Sequence, residues 1–462
     1  MTKIVFSFDT EDYVNQNAAD GILWVANLLY SKGIKGSFAM VGWLAEYLEK
    51  WERYDVIEAL KKHEIGTHSL RHSYHPTINE YTDLEDFDKA LELFKKNESD
   101  GFNMIRHALG DVDITFAVTP GDSSSYVAYY GYSDLGVKIY NAGTTYDLER
   151  DRPISVGNIY ALLYNFGVDN FLRKAEKKDI LELINNIPSY QETFVFYHHP
   201  QKQIVSEFYD ELNFKGSNLP YESWKLSATF TPEETAKFRE NYEFLVDTIM
   251  NDPRFEITSY SELAKEFSKG DERTLTLSDI PSIKEQIEEE LFPVTVPDSY
   301  SLADIALALR DFLLGETEHK CGKVYGFLDT PYGISKRVTL TAEEIKECAK
   351  YFEDGKFLPE KLEVNGKIIG PADFLYGALE VLSGKTSVTL LPNEWQIDLN
   401  EFPRLKNLKY KGTWVHSPDF EDKYLSKRSR LQTWTIRLPK GTPRKIFVTG
   451  KYFAPYSLVH LF

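Results

Sequence analysis

A short apolar run of strand-forming residues, Ile4 to Phe8, ends at Asp9 and is followed by apolar residues at helical spacing from Ala18 to Ser31, stopping at Gly33. This strand-then-helix order recurs along the first 268 residues and restricts the possible folds more than any other feature. "GSFAMVG" (36–42) reads as a second strand, Trp43 to Lys62 as helical, and Glu64 to Thr67 leads into a cluster of histidines. Leu84 to Lys96 again has helical spacing. "ITFAVTP" (114–120), "VKIYNAG" (137–143) and "TFVFYHHP" (193–200) are apolar runs of strand length, and Pro232 to Met250 is the last helix of the series. Continuous apolar runs suit strands covered on both faces. The expected architecture is therefore α/β, with a mainly parallel, helix-covered sheet. Such a sheet or barrel gathers its chemistry at the carboxyl ends of its strands, where Asp9, His198 and His199 fall.

The pattern changes near residue 268. "SKGDERTLTLSDIPSIKEQIEEE" is polar and charged, and 269–290 reads as a linker. Beyond it, 291–392 reads as a helical accessory region with a two-fold repeat: 303–317 and 372–386 align without gaps at an offset of 69. Residues 393–462 read as a strand-rich segment, in which "LQTWTIRL" alternates Trp434, Ile436 and Leu438 against Thr433, Thr435 and Arg437. A net charge of -18 argues against nucleic acid and anionic membranes as partners; the basic trio Lys427, Arg428 and Arg430 reads as a solvated loop. Cys321 and Cys348 have neither metal-ligand nor disulfide spacing and are expected as reduced thiols. No basic, apolar leader pattern and no membrane-length run is present, so a soluble, cytoplasmic chain is expected, or a cell-surface or secreted one if a leader was trimmed.

Four of the ten histidines fall between His63 and His75. His68 and His72, four residues apart, would project from one helical face and could share a divalent metal; a histidine-rich solvated loop gives the same spacing. His63 and His75 are expected outside any ligand set, and His107 has no visible partner. In "FSFDTEDY", Asp9, Glu11 and Asp12 crowd one strand end, which is costly unless cations or solvent compensate; helix capping is the plainer role. "VFYHHP" places His198 and His199 before Pro200, where an ordinary turn is the alternative. All three groups belong to strand ends that a parallel sheet brings to one rim. A carboxylate base, metal ligands and a candidate acid in one place favour a functional reading.

In order and spacing these motifs resemble the carbohydrate esterase family 4 polysaccharide deacetylases over about residues 1–268: "SFDTED", then "GSFAMVG", then "EIGTHSLRH", then "FYHHP". The resemblance implies a distorted (β/α) barrel of the deacetylase type and a metal-dependent hydrolase that removes an acetyl group from an N-acylated sugar or polysaccharide. It implies His68 and His72 as ligands of a divalent metal, zinc foremost, with Glu11 or Asp12 as the third. On a continuing strand Glu11 would face the same way as Asp9; if the chain turns, Asp12 could reach the metal. Asp9 would be the general base and His199 the general acid, with His198 the fallback. One position departs: the family commonly has Arg-x-Pro, its arginine orienting the catalytic aspartate, and "FAVTPGDSSS" places Val118 there. That leaves open a non-catalytic glycan- or wall-binding protein, or an amide hydrolase for another substrate. "GKFLPEKLEVNGKIIGPADFLYGALEVL" is similar to pseudomurein-binding repeats of methanogen wall proteins, which would imply glycan binding by the accessory region.

Overall fold

The computed structural model describes residues 1–121, 123–141, 153–270, 272–352, 356–392 and 415–441. Ten strands form one sheet: β1 (Thr2–Thr10), β2 (Ser37–Met40), β3 (Glu64–Thr67), β4 (Phe116–Val118), β5 (Ile139–Asn141), β6 (Ile154–Val156), β7 (Ile159–Leu162), β8 (Phe166–Gly167), β9 (Thr193–His198) and β10 (Phe255–Thr258). Their order is β6-β7-β5-β4-β3-β2-β1-β9-β8, with β10 paired to β1. Every pairing is parallel except β6 with β7. The mixed α/β fold with its mostly parallel sheet is as expected; the sheet curls into a half-barrel whose described edges are β6 and β8, rather than closing into a full barrel.

Strand β1 sits at the centre because it is apolar on both faces: Ile4, Val5, Phe6 and Phe8 are all buried. One edge of β1 pairs with β9 from Lys3 to Phe8; the other pairs with β10 over residues 2–5 and with β2 over residues 7–10. Asp9 is thus held next to Ala39 of β2, and His198 lies opposite Phe8. This register brings three sequence-distant motifs to one rim.

Helices Ala19–Ser31 and Pro232–Met250 form where the apolar spacing placed them. The expected 43–62 helix is two, Gly42–Lys50 and Tyr54–Leu60, broken where Glu52 takes a φ of +56°. The helix expected over 84–96 spans Phe87–Leu109. It continues through Gly101, where the helix abuts the chain at Leu70: a Cβ there would lie 3.1 Å from the Leu70 Cα. A Cβ on Gly42 would likewise lie 3.0 Å from the Leu70 carbonyl oxygen. Two close backbone approaches therefore clamp the segment that carries the histidines.

Residues 269–290, expected as a linker, contain β11 (Thr274–Thr276) and the helix Ile280–Glu289, whose Ile280, Ile283 and Ile287 are buried. The two segments read as repeats are the helices Leu302–Leu314 and Pro371–Leu382, each with an aspartate as its third residue, Asp304 or Asp373, whose carboxylate accepts from the backbone NH three residues earlier. The likeness of the two segments extends beyond the helices to their strand pairing. Strand β11 pairs antiparallel with β12 (Glu318–Lys320), which follows the first copy; β13 (Val338–Thr341) pairs antiparallel with β16 (Ser387–Leu390), which follows the second. The strands between, β14 (Leu362–Val364) and β15 (Lys367–Ile369), form a hairpin whose turn residues Asn365 and Gly366 take φ of +52° and +72°.

The described part of the last segment departs from expectation. "LQTWTIRL" forms no strand: helix Leu425–Leu431 and a 3-10 turn at Thr433–Thr435 occupy it, and the one bridge joins Arg437 to Ser155. Thr433, Trp434 and Thr435 are all buried, so the alternation does not separate an inner from an outer face. The rest of 393–462 lies outside the described residues. The basic trio is not a solvated loop either, since Arg428 is buried and donates to the carbonyls of Glu85 and Leu328.

Candidate metal and catalytic site

The rim at the carboxyl ends of β1, β3 and β9 carries the site. Past the end of β3, His68 and His72 are buried, which excludes a solvated loop. They do not lie on a helix. Ser69 and His72 take φ of +70° and +51°, a left-handed turn that neither residue type announces. The turn is pinned by Ser69 and Leu70 carbonyls accepting from the NH groups of Gly42 and Trp43 at 3.0 and 2.9 Å. The Ser69 hydroxyl accepts from the His72 NH at 3.0 Å. Both imidazoles consequently face Glu11: its Oε2 is 3.2 Å from His68 Nε2 and 2.9 Å from His72 Nε2.

The donor set fits a divalent cation. His68 Nδ1 lies 3.2 Å from the Val118 carbonyl, a pure acceptor, and His72 Nδ1 lies against the Ser73 hydroxyl, whose own proton goes to Asp210, and 3.1 Å from Asp210 Oδ2, so each Nδ1 carries the proton. In the neutral rings both Nε2 lone pairs then point at a carboxylate oxygen, three acceptors converging in a buried space. Protons or a cation must separate them. Without a cation, burial opposes charge on His72, but Glu11 and Asp210 outweigh it and push the ring up to about 10. For Glu11, burial acts upward but the charge of His72 and hydrogen bonds from both histidines dominate, and its carboxyl is held well below the usual range. Among the described residues Glu11, His68 and His72 are the group whose ligand atoms lie within 4.8 Å of one another. Three protein donors leave a coordination position open, the pattern of catalytic rather than structural sites.

Asp12 is not part of this group. Its Oδ1 accepts from the NH groups of Val14 and Asn15 at 3.0 and 2.9 Å, and its Oδ2 from Asn15 Nδ2 at 2.8 Å. It closes the turn leading toward helix Ala19–Ser31, and burial raises its carboxyl to about 7. Of the two alternatives it is Glu11, one residue past the end of β1, that faces the two histidines. His63 binds the Gly36 NH and the Ala26 carbonyl, and His75 binds Glu80 and the Phe214 carbonyl, so neither approaches the cluster. His107 is exposed, 3.8 Å from Glu49.

Asp9 and His199 meet beside the cluster, with His199 Nε2 3.5 Å from Asp9 Oδ2. Asp169, which follows β8, accepts from both adjacent histidines, at 2.5 Å from His198 Nδ1 and 2.6 Å from His199 Nδ1. Burial opposes charge on His199, yet Asp169, then Glu11 and Asp9, push it up to about 10, so it is protonated at neutral pH. Its side chain, 17% exposed against 6% for Asp9, is open to an incoming molecule. His198 is packed against Phe238 and Tyr242, and burial lowers it.

Four contributors had no sequence signal: Asp169, Asp210, Gln201, whose amide donates to Glu11 Oε1 at 2.7 Å, and Tyr164, whose hydroxyl donates to Asp9 Oδ1. Asp210 has no exposure and also accepts from the Ser73 hydroxyl at 2.8 Å. A carboxylate behind a ligating imidazole fixes its tautomer and raises its basicity, so Asp210→Asn should weaken metal binding by about 10–100-fold. Chelator competition measures this. Unchanged affinity would assign His72's orientation to Ser73 alone.

No family model and no curated protein matches the chain. Solved structures do. A carbohydrate esterase family 4 pseudoenzyme from Bacillus anthracis matches with 10% identity and a TM-score of 0.33, over 57% of this chain and 65% of that one. A peptidoglycan deacetylase from Bacillus subtilis matches with 14% identity and a TM-score of 0.32, over 58% and 94%. A 4-alpha-glucanotransferase from Thermococcus litoralis matches with 12% identity and a TM-score of 0.38, over 62% of this chain and 46% of that one. Among the described residues no helix is long and apolar enough to cross a membrane.

Proposed function

We propose that this chain is a metal-dependent hydrolase that removes an acyl group from an N-acylated sugar or glycan. The observation that carries the reading is the convergence of Glu11, His68 and His72 on one point, with the Asp9–His199 pair beside them. Glu11, His68 and His72 hold the ion, with zinc suited to the N/O donor set. When bound, such an ion would supply Lewis acidity, lowering the pKa of water toward about 7 and polarising the acyl carbonyl.

The chain's own groups move the protons. Asp9 Oδ2 accepts the proton of the attacking water. His199, charged at neutral pH, delivers a proton to the departing amine nitrogen, and Asp169 keeps its Nε2 aimed at the opening. His198 is buried behind Asp169 and holds that carboxylate in place through its Nδ1. Residues 1–268 carry this chemistry in our reading; the duplicated region from 291 to 392 would contribute glycan attachment, in line with its resemblance to wall-binding repeats.

The test is acetate release from N-acetylated oligosaccharides by the purified, metal-replete full chain, with metal content measured in parallel. Near-stoichiometric metal with acetate release is expected. Protein that binds no metal under metal-replete conditions would overturn both the site and the hydrolase. Val118, apolar and buried where the family has its arginine, favours a second reading: a glycan-binding protein that keeps the site without turnover. Bound metal with no release from any acylated sugar would decide for that alternative.

A further inference from the structure

We infer that Tyr164 takes the place of the arginine that the position of Val118 lacks, and that it orients Asp9 for proton transfer. The inference rests on the hydrolase reading above for its catalytic consequence, but its geometry stands alone. The Val118 side chain joins an apolar cluster with Val5, Phe116 and Ile139, and its carbonyl is engaged by His68. It offers Asp9 nothing. Arg106 is not a substitute, because its guanidinium lies over the Phe102 ring, 5.6 Å from the centroid, and its Nε donates to the Val112 carbonyl. Among the described residues no arginine reaches Asp9. The Tyr164 hydroxyl does.

Tyr164 lies in the connection between β7 and β8, and its side chain packs against the apolar cluster that contains Val118. Its ring is stacked on Tyr197 of β9, with centroids 4.3 Å apart and planes 10° from parallel, and this fixes where the hydroxyl points. Burial, with the Asp9 charge adding to it, holds the phenol well above its ordinary range, so the hydroxyl stays a donor at any working pH. The two oxygens of Asp9 are thereby given different tasks. Oδ1 is tied to Tyr164, and Oδ2 is left facing His199. A neutral donor fixes the carboxylate's rotation as an arginine would, without placing a full positive charge against the base.

Tyr164→Phe removes the hydroxyl and keeps the ring stacked on Tyr197, so the variant should fold with a slightly lowered melting temperature, the cost of one buried hydrogen bond, and unchanged metal content. We expect kcat to fall by about 100-fold, the scale of a misplaced reacting group, with KM little altered. A crystal structure of the variant should show the Asp9 carboxylate rotated and its Oδ2 no longer aligned on His199. Wild-type kcat in Tyr164→Phe, or an Asp9 carboxylate unmoved in its crystal structure, would overturn the inference. If metal-loaded wild type hydrolyses nothing, the hydrolase reading fails by itself. The crystallographic position of Asp9 in the variant still decides whether Tyr164 orients it.

Discussion

His68→Ala should reduce the metal content of the purified chain from near one ion per molecule to background, and His72→Ala should do the same. Each imidazole presents Nε2 to Glu11 with its tautomer already set from behind, by the Val118 carbonyl for His68 and by Asp210 for His72. Removing one ring leaves two donors, too few for a tight site of this kind. The loss should exceed the roughly 100-fold that removal of an outer partner costs. Elemental analysis after metal-replete purification and dialysis makes the measurement; a His68→Ala chain that keeps its ion would dissolve the assigned cluster.

Loading should also depend on pH, with a sign fixed by the empty cluster. The metal-free His72 is pushed up to about 10 and so binds a proton at pH 7, whereas a ligating ring must be neutral. Binding therefore expels protons, and affinity should rise as pH increases through the neutral range.

The parts of this site that were legible in sequence are those carried by strand ends. Strands β1 and β9 are long, continuous apolar runs, and their parallel pairing places Asp9 and His199 together. Strands β6, β7 and β8 have three, four and two residues, too short for periodicity to register, and Tyr164 and Asp169 flank the last of them. Asp210 is a single carboxylate among 71 acidic residues, distinguished by burial alone. The spacing of the histidine pair points to one helical face, which is not the local structure present. A left-handed turn with Ser69 and His72 at positive φ, where glycine is the usual marker, leaves no trace in composition. Choosing Glu11 over Asp12 required the turn geometry as well, because Asp12 is committed to the NH groups of Val14 and Asn15.

Asp9→Asn should lower kcat by about 10²–10⁴-fold, the range for loss of a general base, while the chain keeps its full complement of metal. The separation of the two effects follows from geometry: Asp9 is outside the Glu11–His68–His72 group, and its contacts are the Tyr164 hydroxyl and His199. Asparagine retains an oxygen to accept from Tyr164, so the side chain stays in place, but it cannot take a proton from water. His199→Gln separates the other half of the reaction. An amine leaves poorly without protonation, whereas an alcohol leaves more readily, so this variant should lose far more activity on an N-acetyl substrate than on an O-acetyl one. Equal losses on both would mean that His199 does not protonate the leaving group. Asp9→Asn that turns over at the wild-type rate would remove Asp9 as the base, and Asp9→Asn that loses its metal would move Asp9 into the ligand set.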